Sequence, residues 1–99
     1  MPAMLHTLSH SPYHTDLPAL LRMVTADDAL LLIQDGVIAA IDGSLAWEHL
    51  CASCPAPVYA LIEDVHARGL SAQISTMVTL VDYTEFVRLT ALHARQLAW

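Results

Sequence analysis

The segment Ala29–Ile33, with the sequence ALLLI, constrains the fold most because it is apolar at every position. A strand with one solvated face alternates apolar and polar side chains, whereas a strand of a parallel sheet is covered on both faces and forms a continuous apolar run. The run is far shorter than the roughly eighteen residues of a membrane helix, and it ends at the polar pair Gln34 and Asp35. We therefore predict that Ala29–Ile33 is a buried strand of a parallel sheet.

The rest of the chain alternates between strand-like and helix-like patterns. Further short strands are predicted at Met4–Leu8, Val58–Ile62, Met77–Val81 and Gln96–Trp99. The connections between them are too long for hairpins, which favours parallel pairing. The predicted fold class is α/β, a small three-layer sandwich in which a mostly parallel sheet of about four to five strands carries helices on both faces.

Three of the predicted helices have clear start signals, since Asp16, Ser44 and Asp82 can each accept a hydrogen bond from a first-turn N–H group. The helix after Asp16 has an apolar stripe made of Leu17, Leu20, Leu21 and Val24. The helix after Asp82 is predicted to bury one face, made of Tyr83, Phe86, Val87, Thr90 and Ala94. A short helix from Glu63 to Arg68 should end at Gly69.

Composition limits the possible functions. Residues 1–99 suit a single domain, and 56% of them are apolar, which suggests that some apolar surface faces a partner. The net charge is −6, with four arginines and no lysine, so direct nucleic-acid binding is not expected. The first residues, Met1–Met4, lack the features of a secretory signal, and no apolar run is long enough to cross a membrane, so we expect a cytoplasmic protein.

The loops at the carboxyl ends of the strands are the expected place for partners or ligands in such a sheet. The candidate partner-facing residues are His10, Ser11, Pro12 and Tyr13 after the first strand, and Gln34, Asp35 and Gly36 after the second. A carboxylate at Asp35 could serve catalysis, but Asp-Gly is also a common way to turn a chain sharply, and we favour the turn.

The two cysteines, Cys51 and Cys54, are three residues apart and could form a redox couple, half of a metal site, or neither. A reactive thiol needs a lowered pKa, which helix amino termini and nearby cations provide. The pair instead lies at the predicted carboxyl end of a helix, before Pro55. A structural role is favoured, and zinc is disfavoured because His49 lies on a different face of the helix.

Other chemistry-bearing patterns are weak. His6, His10 and His14 surround the first strand, but they lack the spacing of a metal motif and are interpreted as solvated or interface side chains. The three glycines are too far apart for a phosphate-binding loop, and Ser9 and Ser11 lack the flanking glycines of a nucleophile elbow. We expect no catalytic residue, no cofactor and no metal in this chain, with Cys51 and Cys54 as the only minor catalytic candidates.

Several phrases, read in order, resemble the TusB or DsrH family of sulfur-relay proteins. The phrases are MLHTL at Met4–Leu8, SPY at Ser11–Tyr13, LLLIQDGVIAA at Leu30–Ala40, YAL at Tyr59–Leu61, ARGL at Ala67–Leu70 and DYT at Asp82–Thr84. The resemblance extends from Met4 to Trp99, and residues 1–3 look like an optional extension.

This resemblance implies a DsrEFH-like fold and a non-catalytic subunit of a TusBCD-type complex. In that complex TusC-like and TusD-like sister subunits complete a heterohexamer, in which the sulfur-accepting cysteine belongs to the TusD subunit. Sulfur arrives from a TusA-like donor and leaves through a TusE-like acceptor toward 2-thiolation of the tRNA wobble uridine.

One departure from the resemblance concerns the sulfur-oxidation branch of the family. DsrH proteins of that branch often have a cysteine in the first helix, and Asp16–Val24 contains none. The tRNA-modification branch is therefore the better match. An alternative is that this chain carries persulfide itself, as a sulfurtransferase acting through Cys51 or Cys54.

Overall fold

Five strands form one sheet in the computed structural model, which describes residues 3–99. The strands are β1 (Met4–Leu8), β2 (Ala29–Leu32), β3 (Val58–Leu61), β4 (Thr79–Val81) and β5 (Arg95–Ala98). Their order is β4-β3-β2-β1-β5, and every neighbouring pair is parallel. The predicted α/β class with a parallel sheet is confirmed. Met1 and Pro2, which belong to the predicted extension, lie outside the described residues.

Four α-helices connect these strands within residues 3–99. They are α1 (Leu17–Met23), α2 (Leu45–Ser53), α3 (Ile62–Ala67) and α4 (Tyr83–Leu92), and two 3-10 helices span Pro12–His14 and Gln34–Ala40. The predicted caps are confirmed: Asp16, Ser44 and Asp82 accept hydrogen bonds at about 3 Å from the N–H groups of Ala19, Trp47 and Glu85. Gly69 follows α3 with a φ of 66°, the left-handed conformation that glycine tolerates best.

The central strand β2 is covered on both faces, as the apolar run predicts. Leu30 and Leu32 belong to a large core on one face, and Ala29 and Leu31 belong to a smaller core on the other. All four residues of β2 are buried. Because side chains alternate along a strand, a strand between two cores must be apolar throughout.

The helices are distributed unequally over the two faces, and the handedness of the connections explains why. From β1 to β4 each strand is added on the same side of the previous one, whereas β5 returns to the far side of β1. Right-handed crossovers then place α1, α2 and α3 on one face and α4 on the other. The larger core accordingly contains Leu20, Leu50 and Val65, while Phe86 packs against the smaller one. The second face is covered by one helix.

The buried face of α4 differs from its prediction. Phe86 and Leu89 pack on the sheet, whereas Tyr83 and Val87 are exposed by 57% and 61%, and Ala94 follows the end of the helix. The helix is rotated about its axis so that Leu89, rather than Val87, faces the sheet together with Phe86. Either pair of residues fits the 3.6-residue period of a helix, so the choice between them depends on packing against the sheet.

Candidate functional site at the carboxyl edge of the sheet

The loops predicted to face partners lie together, because β1 and β2 are parallel neighbours and both end at the same edge of the sheet. The side chains of His10, Tyr13, Gln34 and Asp35 are exposed, and Ser11 is half-buried. Pro12 and Gly36 are buried, so they shape the loops rather than present a surface. The structure brings the two predicted loops to one edge; their contact with a partner remains a prediction.

The turn after β2 is held tightly against the end of β1. The backbone N–H of Ile33 donates a 3.0 Å hydrogen bond to the carbonyl oxygen of Leu8. A Cβ atom at Gly36 would overlap this same carbonyl oxygen. Glycine is therefore required here by the close approach of two backbone segments.

The same turn is fixed on its other side by α3. Gln34 has a φ of 50°, and its N–H donates a 2.7 Å hydrogen bond to the Asp64 carboxylate. The Arg68 guanidinium lies 3.0 Å from the Asp35 carboxylate and 3.8 Å from that of Asp64. Asp35 is thus an ion-pair partner in a turn, which supports the structural interpretation over the catalytic one. Arg68 was not predicted as a site residue, since nothing local links it to Asp35, which lies 33 positions earlier.

The topological switch point lies between β1 and β5, where the strand order reverses. This is where a sheet of this type usually opens a crevice for ligands. Here the backbone of Trp99 occupies the position: its N–H donates to the carbonyl of Thr7 at 2.8 Å, and its carbonyl accepts from the His10 imidazole at 3.1 Å and from the Ser9 N–H at 3.4 Å. Ser9, His10 and Trp99, which lie near the switch point, therefore form hydrogen bonds with one another.

A buried polar network lies behind this edge, and it contradicts part of the histidine interpretation. His6 is fully buried rather than solvated, and its Nε2 lies 3.0 Å from the carboxylate of Asp28. The indole N–H of Trp99 donates to His6 Nδ1 at 3.2 Å, and the two rings are stacked. Because an indole nitrogen is a donor only, Nδ1 is the acceptor and the ring proton is on Nε2, directed at Asp28.

Asp28 also accepts hydrogen bonds from the backbone, which determines its ionisation. Burial alone raises the pKa of its carboxyl group, but bonds from Thr25, Met4 and His6 outweigh burial and lower the pKa from 3.8 to about 2. The Met4 and Thr25 N–H groups both lie 2.9 Å from carboxylate oxygens. The Asp28 carboxylate therefore connects the start of β1 to the loop before β2. The side chains of His6, Asp28 and Trp99 are all hydrogen-bonded within this network.

A shallow cavity of about 210 Å³ opens at the same edge, on the side of α4. Its lining includes Ile33, Leu61, Phe86, the exposed Tyr83 and the Asp64 carboxylate, which is already paired with Arg68. Because Asp64 is paired with Arg68, its carboxylate is not a free base at this edge.

The cysteines lie away from this edge, at the end of α2 where the sequence places them. Cys51 is exposed in the last turn, and Cys54 is the half-buried residue that caps the helix. Burial raises the pKa of the Cys54 thiol, which donates to the carbonyl of Ala56 at 3.6 Å. Both thiols are free. The negative end of the helix dipole further disfavours the thiolate of Cys54.

Residues 3–99 contain neither a cluster of metal ligands nor a membrane-spanning helix. No three histidine, cysteine or acidic side chains in this part of the chain converge as ligands for a metal ion. None of the helices formed by these residues combines the length and apolar character needed to cross a membrane.

Comparison with known proteins places this architecture in a family. The model of the family described as DsrH like protein matches residues 10–96. Protein TusB of Escherichia coli K12 is 56% identical over 96 residues, which cover 97% of this chain and all of the relative. Protein TusB of Enterobacter sp. strain 638 is 55% identical over the same shares.

Solved structures show the same fold. The ychN protein from E. coli superposes with a TM-score of 0.78 over the whole of both chains at 19% identity. Protein Tm0979 from Thermotoga maritima superposes with a TM-score of 0.67 at 33% identity, over 89% of this chain and 91% of its own. The family match and the full-length TusB relatives together show that this chain belongs to the DsrH/TusB family of sulfur-relay proteins.

Proposed function

We propose that this chain is a non-catalytic subunit of a TusBCD-type complex that passes persulfide sulfur toward 2-thiolation of the tRNA wobble uridine. The observation that carries the proposal is the 56% identity to Protein TusB over the full length of that relative. Within the proposal, sulfur reaches the complex from a TusA-like donor and leaves through a TusE-like acceptor in the cytoplasm. The net charge of −6 agrees with a subunit that does not bind the tRNA itself.

The setting of the thiols supports a role without chemistry. A sulfur-accepting cysteine needs thiolate character, which a cation or a helix amino terminus provides. Cys51 and Cys54 lie at the opposite end of their helix, and burial raises the pKa of the Cys54 thiol. Sulfur transfer would then take place on the TusD-like sister subunit.

The apolar surface supports a role in assembly. Large apolar side chains are exposed on several elements: Tyr13, Leu45, Tyr83, Val87 and Leu92. Such side chains are enriched in interfaces, where burial excludes water from them. The proposal assigns contact with TusC-like and TusD-like sisters to the carboxyl-edge loops, His10–Tyr13 and Gln34–Gly36.

Co-expression with these two sisters tests the assembly. We expect the three chains to co-elute in size-exclusion chromatography as a complex larger than any of them. Tyr13→Asp should reduce co-elution, because it introduces a charge at a side chain that is 61% exposed in the proposed interface. Met23→Asp is the matched control, since Met23 is 52% exposed but lies at the far end of α1, toward the opposite edge of the sheet.

Two results would contradict this proposal. If the chain elutes alone in the presence of both sisters, it is not an assembly subunit. If Met23→Asp disrupts the complex and Tyr13→Asp does not, the partner-facing loops are wrong while the assembly role stands.

A second candidate function rests on one observation, the exposure of Cys51. An accessible thiol can attack a persulfide even when few molecules are ionised, so this chain would be a persulfide carrier or sulfurtransferase. The alternative predicts that sulfur transfer depends on Cys51 or Cys54.

A further inference from the structure

The two cysteines share a cavity with a third sulfur. Cys51, Cys54 and Met77 all line a cleft of about 230 Å³ between the end of α2 and the segment that leads into β4. Cys51 and Cys54 are three residues apart at the last turn of α2, a spacing that puts both side chains on one side of a helix. Met77 arrives from a distant part of the chain, so the three residues line one cleft only in the folded protein.

We propose that Cys51, Cys54 and Met77 form a binding site for a soft monovalent metal ion, Cu(I). Thiolate and thioether sulfurs are the ligands that select Cu(I) over harder ions. This site differs from the groups of histidine, cysteine and acidic residues that hold most metals, because its third ligand is a methionine. It is independent of the proposed assembly role.

The charge of the ion matters because the cleft lies at the carboxyl end of α2, which carries partial negative charge and opposes a free thiolate. Bound Cu(I) cancels one of the two thiolate charges, so the loaded site carries a net charge of −1 rather than the −2 of two free thiolates. Leu50 and Val58 also line the cleft.

The three ligands have the access and freedom that binding needs. Cys51 is exposed, and Met77 is 74% exposed, so its unbranched side chain can turn toward the metal. Cys54 is tied only by a 3.6 Å bond from its thiol to the Ala56 carbonyl. On binding, each cysteine exchanges its S–H bond for an S–Cu bond and releases one proton to solvent, while Met77 donates a sulfur lone pair and copper stays Cu(I).

Zinc fits this cleft less well. A structural zinc site is closed by four ligands, usually cysteine and histidine. The nearest histidine along the helix, His49, lines a different cavity of about 440 Å³ together with residues of α1 such as Leu21. Only three sulfurs line the cysteine cleft, and one of them is an uncharged thioether.

Anaerobic titration of the reduced protein with Cu(I), using bicinchoninate as the competing chelator, tests the site. We expect one Cu(I) per chain. Cys51→Ser or Cys54→Ala should lower the affinity by about a hundredfold or more, and Met77→Leu by about tenfold. Met23→Leu and His49→Ala are the matched controls, since both side chains are exposed and lie outside the cleft. Far-UV circular dichroism checks that each variant is folded.

The proposal is overturned if bicinchoninate retains all the Cu(I), if any one of the three sulfur substitutions leaves the affinity unchanged, or if either control lowers it as much as Met77→Leu. Zn(II) in place of Cu(I) should bind more weakly, and tighter binding of Zn(II) would also overturn the assignment.

Discussion

Replacing Gly36 by alanine is expected to destabilise the protein by about 3 kcal/mol or more. The added methyl group would overlap the carbonyl oxygen of Leu8, and that oxygen is held by the N–H of Ile33. Backbone on both sides prevents either atom from moving without loss of the hydrogen bond. Urea unfolding followed by circular dichroism measures the change.

Gly43→Ala is the control for this substitution. Gly43 has a φ of 79° but no atom within 4 Å of an added Cβ, so its replacement costs only backbone strain, about 1 kcal/mol. If Gly36→Ala were no more destabilising than Gly43→Ala, the close contact between the turn and β1 would be wrong.

Replacing Asp28 by asparagine is expected to cost about 3 kcal/mol at neutral pH. One carboxylate oxygen accepts from Met4 and the other from Thr25 and His6, whereas asparagine would place N–H groups opposite the donors at one of these two positions. Asp27→Asn is the matched control, because the neighbouring Asp27 is exposed. Chemical denaturation of both variants at pH 7 compares the two effects.

The same carboxylate predicts how stability depends on pH. The pKa of Asp28 is lower in the folded protein, so the ion stabilises the native state above the unfolded value of 3.8, and this contribution is lost as the pH falls toward about 2. The wild-type protein should therefore lose stability between these pH values more steeply than Asp28→Asn. Equal losses would show that the carboxylate does not hold the network.

The main features of the fold could be predicted because they depend on local patterns. The apolar run at Ala29–Ile33 predicted a strand that is buried on both faces of the sheet. The caps at Asp16, Ser44 and Asp82 could be predicted because each side chain bonds only to the first turn of its own helix. The end of α2 at the cysteines followed from Pro55 and Pro57. Each of these signals is carried by residues close together in the sequence.

Features that depend on distant neighbours were missed. The burial of His6 depends on Asp28 and on Trp99, which is 93 residues away. The pairing of Asp35 with Arg68 depends on the packing of α3 beside the turn after β2. The likeness to a known family indicated the function, whereas the geometry of these pairs required the structure.

We propose that sulfur passes through the TusBCD-type complex without a thiol of this chain. The most direct test measures 2-thiouridine in tRNA from cells whose only copy of this protein carries Cys51→Ser and Cys54→Ser. We predict the wild-type level for this double variant and a loss of 2-thiouridine when the protein is deleted. Loss of the modification in the double variant, while the complex with both sister subunits still assembles, would contradict the account and favour persulfide transfer through Cys51 or Cys54.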